Sequence, residues 1–163
     1  MKPLDPIRTM SSGAKRKEGR EWEVPAAVLR LILSYGVPHN GVHMSEALNR
    51  TRFVLVDSIA SGIVGITLDG TVLLSAPYVR VHEQVELSGV VIDPSLPALV
   101  YHELVHRTQI IRDGWVPFLF RYVWQWIRCG FSYDKMKSVG YELEAYTAQR
   151  RMVADIMGTV DPA

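Results

Sequence analysis

The 163-residue chain lacks the features of secreted, membrane-spanning and nucleic-acid-binding proteins. Its one cysteine, Cys129, cannot form an intrachain disulfide, and the first thirty residues lack the apolar run of a secretory signal, so we expect a cytoplasmic protein. No apolar stretch reaches the roughly 18 residues that a transmembrane helix requires. With 18 Lys and Arg against 17 Asp and Glu, the net charge of +1 predicts no nucleic-acid partner.

The composition is that of one globular domain. Hydrophobic residues make up 48% of the chain and charged residues 21%, a balance that supports a core and excludes a disordered protein. Residues 1–20 are basic and almost without apolar side chains. We therefore predict a flexible basic tail over residues 1–20 and a single domain over residues 21–163.

The hydrophobic pattern changes from strands in the middle of the chain to helices at its end. A short helix is predicted after Pro25, and a helical turn or two around Ser45. Strands are predicted at residues 52–56, 63–68, 71–74, 78–82 and 85–87. A hairpin turn at Asp69-Gly70 is predicted to join the second strand to the third. Three further helices, the first with Ser95 as its N-cap, are predicted at residues 98–112, 116–129 and 137–157.

These elements define the expected fold class. It is α+β, with a small mixed or antiparallel sheet packed on three main C-terminal helices and one N-terminal helix.

The strongest chemical signal is the sequence His102-Glu103-Leu104-Val105-His106 within the first C-terminal helix. Side chains four residues apart project from one face of a helix, so the two imidazoles can bind one metal ion, and the spacing suits zinc. Glu103 lies about 100° round the helix, beside that face, where it can hold a water molecule. The competing interpretation is a pair of polar histidines on a core helix.

A zinc site that hydrolyses its substrate needs a third protein ligand. The metzincin pattern is excluded, because this chain has Gln109 and Arg112 where that pattern has Gly and His. The last helix offers two carboxylates. Glu142 shares its side of the helix with the small Ala145 and is expected to face the core, whereas Glu144 lies about 200° away among polar residues. We predict Glu142 as the third ligand, with Glu144 as the alternative.

These motifs resemble those of the gluzincin metallopeptidases, in which a Glu from a later helix follows the H-E-x-x-H helix. The chain is similar to small bacterial proteins with a H-E-L-x-H-x-x-Q helix and a later E-x-E-A-Y sequence. Those proteins include the domain associated with extracellular contractile injection systems and the minimal gluzincin scaffolds. The similarity spans residues 99–148 and rests on residues 102–109, Gly114, Phe118, Tyr122 and residues 142–146.

The resemblance implies a zincin-like fold with Zn²⁺ bound by His102, His106 and Glu142. It implies a metallopeptidase that hydrolyses peptide bonds with a zinc-activated water molecule, Glu103 as the general base, and a peptide or protein substrate extended along an edge strand. One position departs from the family. Many gluzincins have an Asp four residues after the ligand Glu to orient a histidine, and this chain has Tyr146, whose phenol carries no charge at neutral pH.

The oxyanion-stabilising residue stays open, because Tyr146, Tyr141, Tyr101 and His82 are all chemically able to donate. The alternative function is a zinc-binding structural or interaction module of a larger bacterial or phage assembly, with little or no activity and a partner protein. A third hypothesis is peripheral membrane contact through the Trp-rich residues 115–129.

Two further sets of residues have a structural interpretation that we prefer. His39 and His43 can form a weak metal pair, although surface histidines are the simpler interpretation. Cys129 is predicted to be an inert buried thiol.

Overall fold

The structure is a computed structural model and describes residues 19–35, 41–60, 62–83 and 93–158. These residues form a mixed α+β fold, which confirms the predicted class. The described part of the chain has seven helices: α1 (Ala26–Tyr35), α2 (Met44–Asn49), α3 (Ala76–Glu83), α4 (Ser95–Asp113), α5 (Trp115–Arg128), α6 (Tyr133–Met136) and α7 (Gly140–Met157).

Four strands form a mixed sheet, β1 (Arg20–Glu21), β2 (Arg52–Val56), β3 (Gly65–Leu68) and β4 (Thr71–Ser75). Their order is β1-β2-β4-β3, with β2 and β4 parallel and the other two neighbouring pairs antiparallel. The predicted hairpin turn joins β3 to β4, where Asp69 adopts a positive φ of 44°. Strand β3 is therefore an edge strand of the described sheet.

Helix α4 is the centre of the molecule. Every residue of Leu96–Ile110 is buried, because α1, α2, α3, α5, α7 and strand β3 all pack around this helix. A helix enclosed on all sides normally carries apolar residues throughout. The polar residues of the H-E-x-x-H sequence are therefore enclosed, and each needs a specific partner.

The prediction of a strand at residues 78–82 is wrong, because these residues belong to helix α3. Pro77 stands in the first turn, where a helix tolerates proline. Ala76 and Val79 are buried at helical spacing while Val81 is exposed, so the alternation of valines does not describe one face of a strand. The predicted strand at residues 85–87 lies outside the described residues, as do residues 1–18 of the predicted tail.

The C-terminal helices are confirmed with shifted ends. Ser95 does not cap α4 with its side chain; instead Asp93 Oδ1 accepts a hydrogen bond of 2.8 Å from the Ser95 backbone N–H. The last helix starts at Gly140 rather than at residue 137, since the chain turns there with a φ of +53° and α6 forms a separate short helix. No helix in the described residues is both long and apolar enough to cross a membrane.

Candidate metal centre

Helices α4 and α7 bring His102, His106 and Glu142 together in the protein interior. The two Nε2 atoms of the histidines are 3.2 Å apart. Glu142 Oε2 lies 3.5 Å from His102 Nε2, and Glu142 Oε1 lies 3.4 Å from His106 Nε2. Ligand atoms about 2.0–2.1 Å from a tetrahedral zinc ion lie roughly 3.3 Å from one another. The three side chains thus have the spacing of a set of metal ligands.

Two glutamines orient the imidazoles. Gln149 Oε1 lies 3.0 Å from His102 Nδ1, and Gln109 Oε1 lies 2.8 Å from His106 Nδ1. A carbonyl oxygen accepts hydrogen bonds only, so each Nδ1 is the protonated nitrogen of its ring. In the neutral rings, the two unprotonated Nε2 atoms therefore face each other and the Glu142 carboxylate.

The orientation of Gln109 follows from its other contacts. Its side-chain amide nitrogen donates to the backbone oxygen of Tyr141 and to Glu144 Oε2, both at 3.1 Å. Both are acceptors, so the amide oxygen must point to His106. Glu144, the alternative third ligand, thus lies behind Gln109 rather than against the histidines.

The electrostatics of the cluster favour a bound cation. Burial lowers the pKa of His106, but its contacts with Glu142 outweigh this effect and raise the pKa to about 9. Burial raises the pKa of Glu142, but the two facing imidazoles outweigh it and hold the pKa well below its usual range. The cluster keeps its carboxylate ionised and attracts positive charge, whether a proton or a metal ion supplies it.

One buried oxygen of the cluster has no hydrogen-bond partner among the described residues. Glu142 Oε1 accepts a hydrogen bond of 2.6 Å from the Tyr122 hydroxyl, whereas the buried Oε2 accepts none. Buried carboxylate oxygens without a donor are rare and call for a physical explanation. Two Nε2 lone pairs and this oxygen converge on the same space, so the residues fit a metal ion.

Glu103 lies beside the cluster and is held by strand β3. The Thr67 hydroxyl is 2.7 Å from Glu103 Oε2 and 3.0 Å from the Glu103 backbone oxygen. Gly65 passes so close that an added Cβ would stand 2.6 Å from Glu103 Oε1. The edge strand thus lies against the Glu103 carboxylate, and a side chain at position 65 would require Glu103 or its surroundings to shift.

A cleft of about 570 Å³ opens onto these residues. Strand β3 forms one wall and helix α5 the other, and the two histidines, Glu103 and Glu142 lie between them. The α5 wall is apolar and aromatic, with Leu119, Val123 and Trp126 among its residues. The cleft therefore combines a polar, acidic base with an apolar wall, an arrangement typical of sites for small ligands or peptides.

Tyr122 and Tyr133 line the cleft and Tyr146 does not; the Tyr122 hydroxyl already donates to Glu142, which leaves Tyr133 as the candidate donor to a substrate. The Tyr146 ring packs against His102 with centroids 4.6 Å apart, and its hydroxyl lies 3.1 Å from the Tyr133 hydroxyl. Burial and the contact with Tyr146 raise the pKa of Tyr133 above its usual value, so its phenol stays protonated at neutral pH. Tyr146 thus supports a ligand and a cleft residue.

The other three oxyanion candidates do not line the described cleft. Tyr101 is buried in the core against Tyr35. Tyr141 donates to Asp113 Oδ2 at 2.6 Å, and His82, a residue of α3, pairs with Asp93. None of them faces the two histidines.

Some contributors to the site were not assigned from the sequence. Thr67 and Gly65 come from a segment predicted only as a strand, Tyr133 lies between two predicted helices, and no motif marks any of the three. The glutamines did carry a signal, since Gln109 lies within the H-E-L-x-H-x-x-Q pattern and Gln149 lies two turns after Glu142 on the same helix side.

The lesser candidates that the structure describes, His43 and Cys129, are not part of the cluster. His43 is exposed at the start of α2, and His39 lies outside the described residues. Cys129 is half-buried, whereas the sequence predicted a buried thiol.

Comparison of the chain with protein-family models, with curated proteins and with solved structures gives no match. The function must therefore be argued from the geometry of the site.

Proposed function

We propose that this protein is a zinc-dependent metallopeptidase of gluzincin type with a zincin-like fold. The observation that carries the proposal is the buried triangle of His102, His106 and Glu142, with the Glu103 carboxylate beside it at the base of an open cleft. Two imidazoles and one carboxylate are a ligand set that hydrolytic zinc sites use. When bound, zinc would supply a Lewis acid that polarises a carbonyl group and acidifies water.

Glu103 is proposed as the general base and acid. Its carboxylate is buried, lines the cleft and is kept in place by Thr67, so it can take a proton from a water molecule and pass it to a leaving amine. The Thr67 hydroxyl donates to Glu103 Oε2, so this hydrogen bond holds the Glu103 carboxylate next to the proposed zinc ligands. Replacing Glu103 by a residue without a carboxylate would leave the cluster intact and remove this proton transfer.

Tyr133 is proposed as the donor to the oxyanion. It lines the cleft together with Glu103, and its protonated hydroxyl can donate to the negative charge that develops on a carbonyl oxygen. Tyr146, one of the four donors that the sequence left open, is proposed as a positioning residue, because its hydroxyl contacts that of Tyr133 while its ring contacts His102.

An extended peptide is the proposed substrate. Strand β3 pairs with β4 on one side, and no other described strand pairs with it on the other, so its free backbone groups can bind a peptide as an added strand. The apolar α5 wall faces this strand across the cleft and favours large apolar side chains in the substrate.

The proposal is tested first by metal content. Plasma mass spectrometry of the purified protein, after dialysis against a weak chelator, should find about one zinc per chain. His106→Ala and Glu142→Ala should lose it, and His43→Ala, at an exposed histidine directly before α2, should keep it. Absence of zinc from the wild type, even after reconstitution, would overturn the proposal.

The second test separates an enzyme from a binding module. Glu103→Gln should keep the zinc but lose hydrolysis of a peptide library, with Glu46→Gln on the surface of α2 as the matched control. Zinc binding without any hydrolysis by the wild type would favour the alternative, a structural or interaction module. One observation favours this alternative: the side chains behind the two histidines are neutral glutamines and not an acid.

A further inference from the structure

Helix α5 has two apolar sides, and only one of them belongs to the cleft. Leu119, Val123 and Trp126 line the cleft. Four other residues, which recur every three or four positions, form an outer stripe: Val116, Phe120, Trp124 and Ile127. Their side chains are exposed by 73%, 73%, 54% and 46%, and none of them lines the cleft. Large apolar side chains exposed together on one surface usually mark an interaction site.

The charged residues within helix α5 have one sign. Between Gly114 and Tyr133 the chain has no acidic residue, and its charged residues are Arg121 and Arg128. Each arginine directly follows a stripe residue, so both lie along the same edge of the stripe. Both are exposed, although Arg121 also lies 3.3 Å from Asp113. This edge is complementary to an anionic surface.

We propose that the outer stripe docks on an anionic phospholipid bilayer, with α5 lying in the plane of the interface. The helix has 14 residues and is about 21 Å long, too short to cross a hydrocarbon core of about 30 Å. An amphipathic helix with Trp and Phe on its apolar face and arginines beside that face is typical of interfacial binding. A second copy of this chain would bring the same cations to the stripe, whereas anionic headgroups bring the opposite charge.

The docking is tested by co-sedimentation of the full chain with vesicles. The wild type should bind vesicles of phosphatidylcholine and phosphatidylglycerol. Phe120→Glu and Trp124→Glu should each weaken this binding by about tenfold or more, because a charge replaces a side chain that enters the interface. Val81→Glu, at a valine of α3 that is 68% exposed, is the matched control and should bind like the wild type.

The contribution of the arginines is tested separately. Arg121→Gln with Arg128→Gln should weaken binding to the anionic vesicles on the order of tenfold and leave weak binding to pure phosphatidylcholine vesicles unchanged. Thermal unfolding shows whether each variant is folded, and exposed positions are expected to leave it unchanged. This test needs no peptidase activity, so it can fail or succeed independently of the proposed function.

Three results would overturn the inference. The first is no co-sedimentation of the wild type. The second is binding that Phe120→Glu and Val81→Glu weaken equally. The third is a dimer in sedimentation velocity that Phe120→Glu dissociates, without any vesicle binding, since the stripe would then be an interface between two copies.

Discussion

Gly65 lies so near Glu103 that a methyl group added to its Cα would stand 2.6 Å from Glu103 Oε1. The same methyl group would be 3.0 Å from Leu99 Cδ1, so it has no free space to enter. The backbone of the edge strand is therefore part of the surface against which the carboxylate rests. Any side chain at position 65 must displace Glu103, the strand or both.

Gly65→Ala should lower kcat for peptide hydrolysis on the order of tenfold to a hundredfold, because a shift of about 1 Å in a reacting group has effects of that size. Zinc content should not change, since the atoms nearest to the added methyl group belong to Glu103 and Leu99. Gly70→Ala is the matched control, because its Cβ would meet no atom closer than 3.6 Å. Full activity of Gly65→Ala would show that the strand does not constrain Glu103.

Gln109 and Gln149 are expected to affect the zinc affinity of the cluster. Gln109→Ala and Gln149→Ala should each weaken zinc affinity by about 10- to 100-fold, because the imidazoles lose the acceptor that fixes their tautomer and orientation. Competition with a chromophoric chelator measures the change.

Gln125→Ala is the matched control for these two variants, since Gln125 contacts the start of α7 but neither histidine. Gln149→Glu places a carboxylate behind His102 and should bind zinc at least as tightly as the wild type. An unchanged affinity in both alanine variants would show that packing alone orients the rings.

The C-terminal helices and the cluster of His102, His106 and Glu142 were predictable because they depend on local periodicity. The spacing of His102 and His106 is a property of any helix, and the side of the last helix that carries Glu142 could be recognised from its small and apolar neighbours. The mistaken strand at residues 78–82 has the same origin. Valines at alternate positions suit a strand, but the packing of Ala76 and Val79 on α4 selects a helix.

The supports of the site depend on contacts that no local pattern encodes. Thr67 reaches Glu103 across 36 residues, and Tyr122 reaches Glu142 across 20. Such pairs form only once β3 and α5 pack against the central helix. The sequence therefore predicted which residues can bind a metal, but not which ones hold them or line the cleft.

Asp113 is expected to make the free energy of unfolding depend on pH. Hydrogen bonds from Arg112 and from the Tyr141 hydroxyl lower the pKa of Asp113 from 3.8 to about 2, because they outweigh the rise that burial causes. A carboxyl group with a depressed pKa stabilises the fold above its unfolded pKa, and this contribution disappears as the pH falls towards 2. Asp113→Asn should lower the free energy of unfolding at pH 7 by about 1–2 kcal/mol and by less at pH 2.5.

Chemical denaturation at the two pH values measures this difference. Asp134→Asn is the control, because the Asp134 side chain is 91% exposed and its partner Lys137 is also at the surface. An equal loss of stability at both pH values would mean that the charge of Asp113 is not what stabilises the fold.

Removing the hydroxyl of Tyr133 and removing that of Tyr146 should have different kinetic effects. Tyr133→Phe removes the proposed oxyanion donor, so kcat should fall on the order of 10- to 100-fold while KM changes little, because the interaction forms only in the transition state. Tyr146→Phe acts through Tyr133 and should lower kcat by a few-fold. Tyr78→Phe is the matched control, since the Tyr78 hydroxyl contacts Ser95 and lies outside the cleft. A larger loss in Tyr146→Phe than in Tyr133→Phe would reverse the two roles and make Tyr146 the donor.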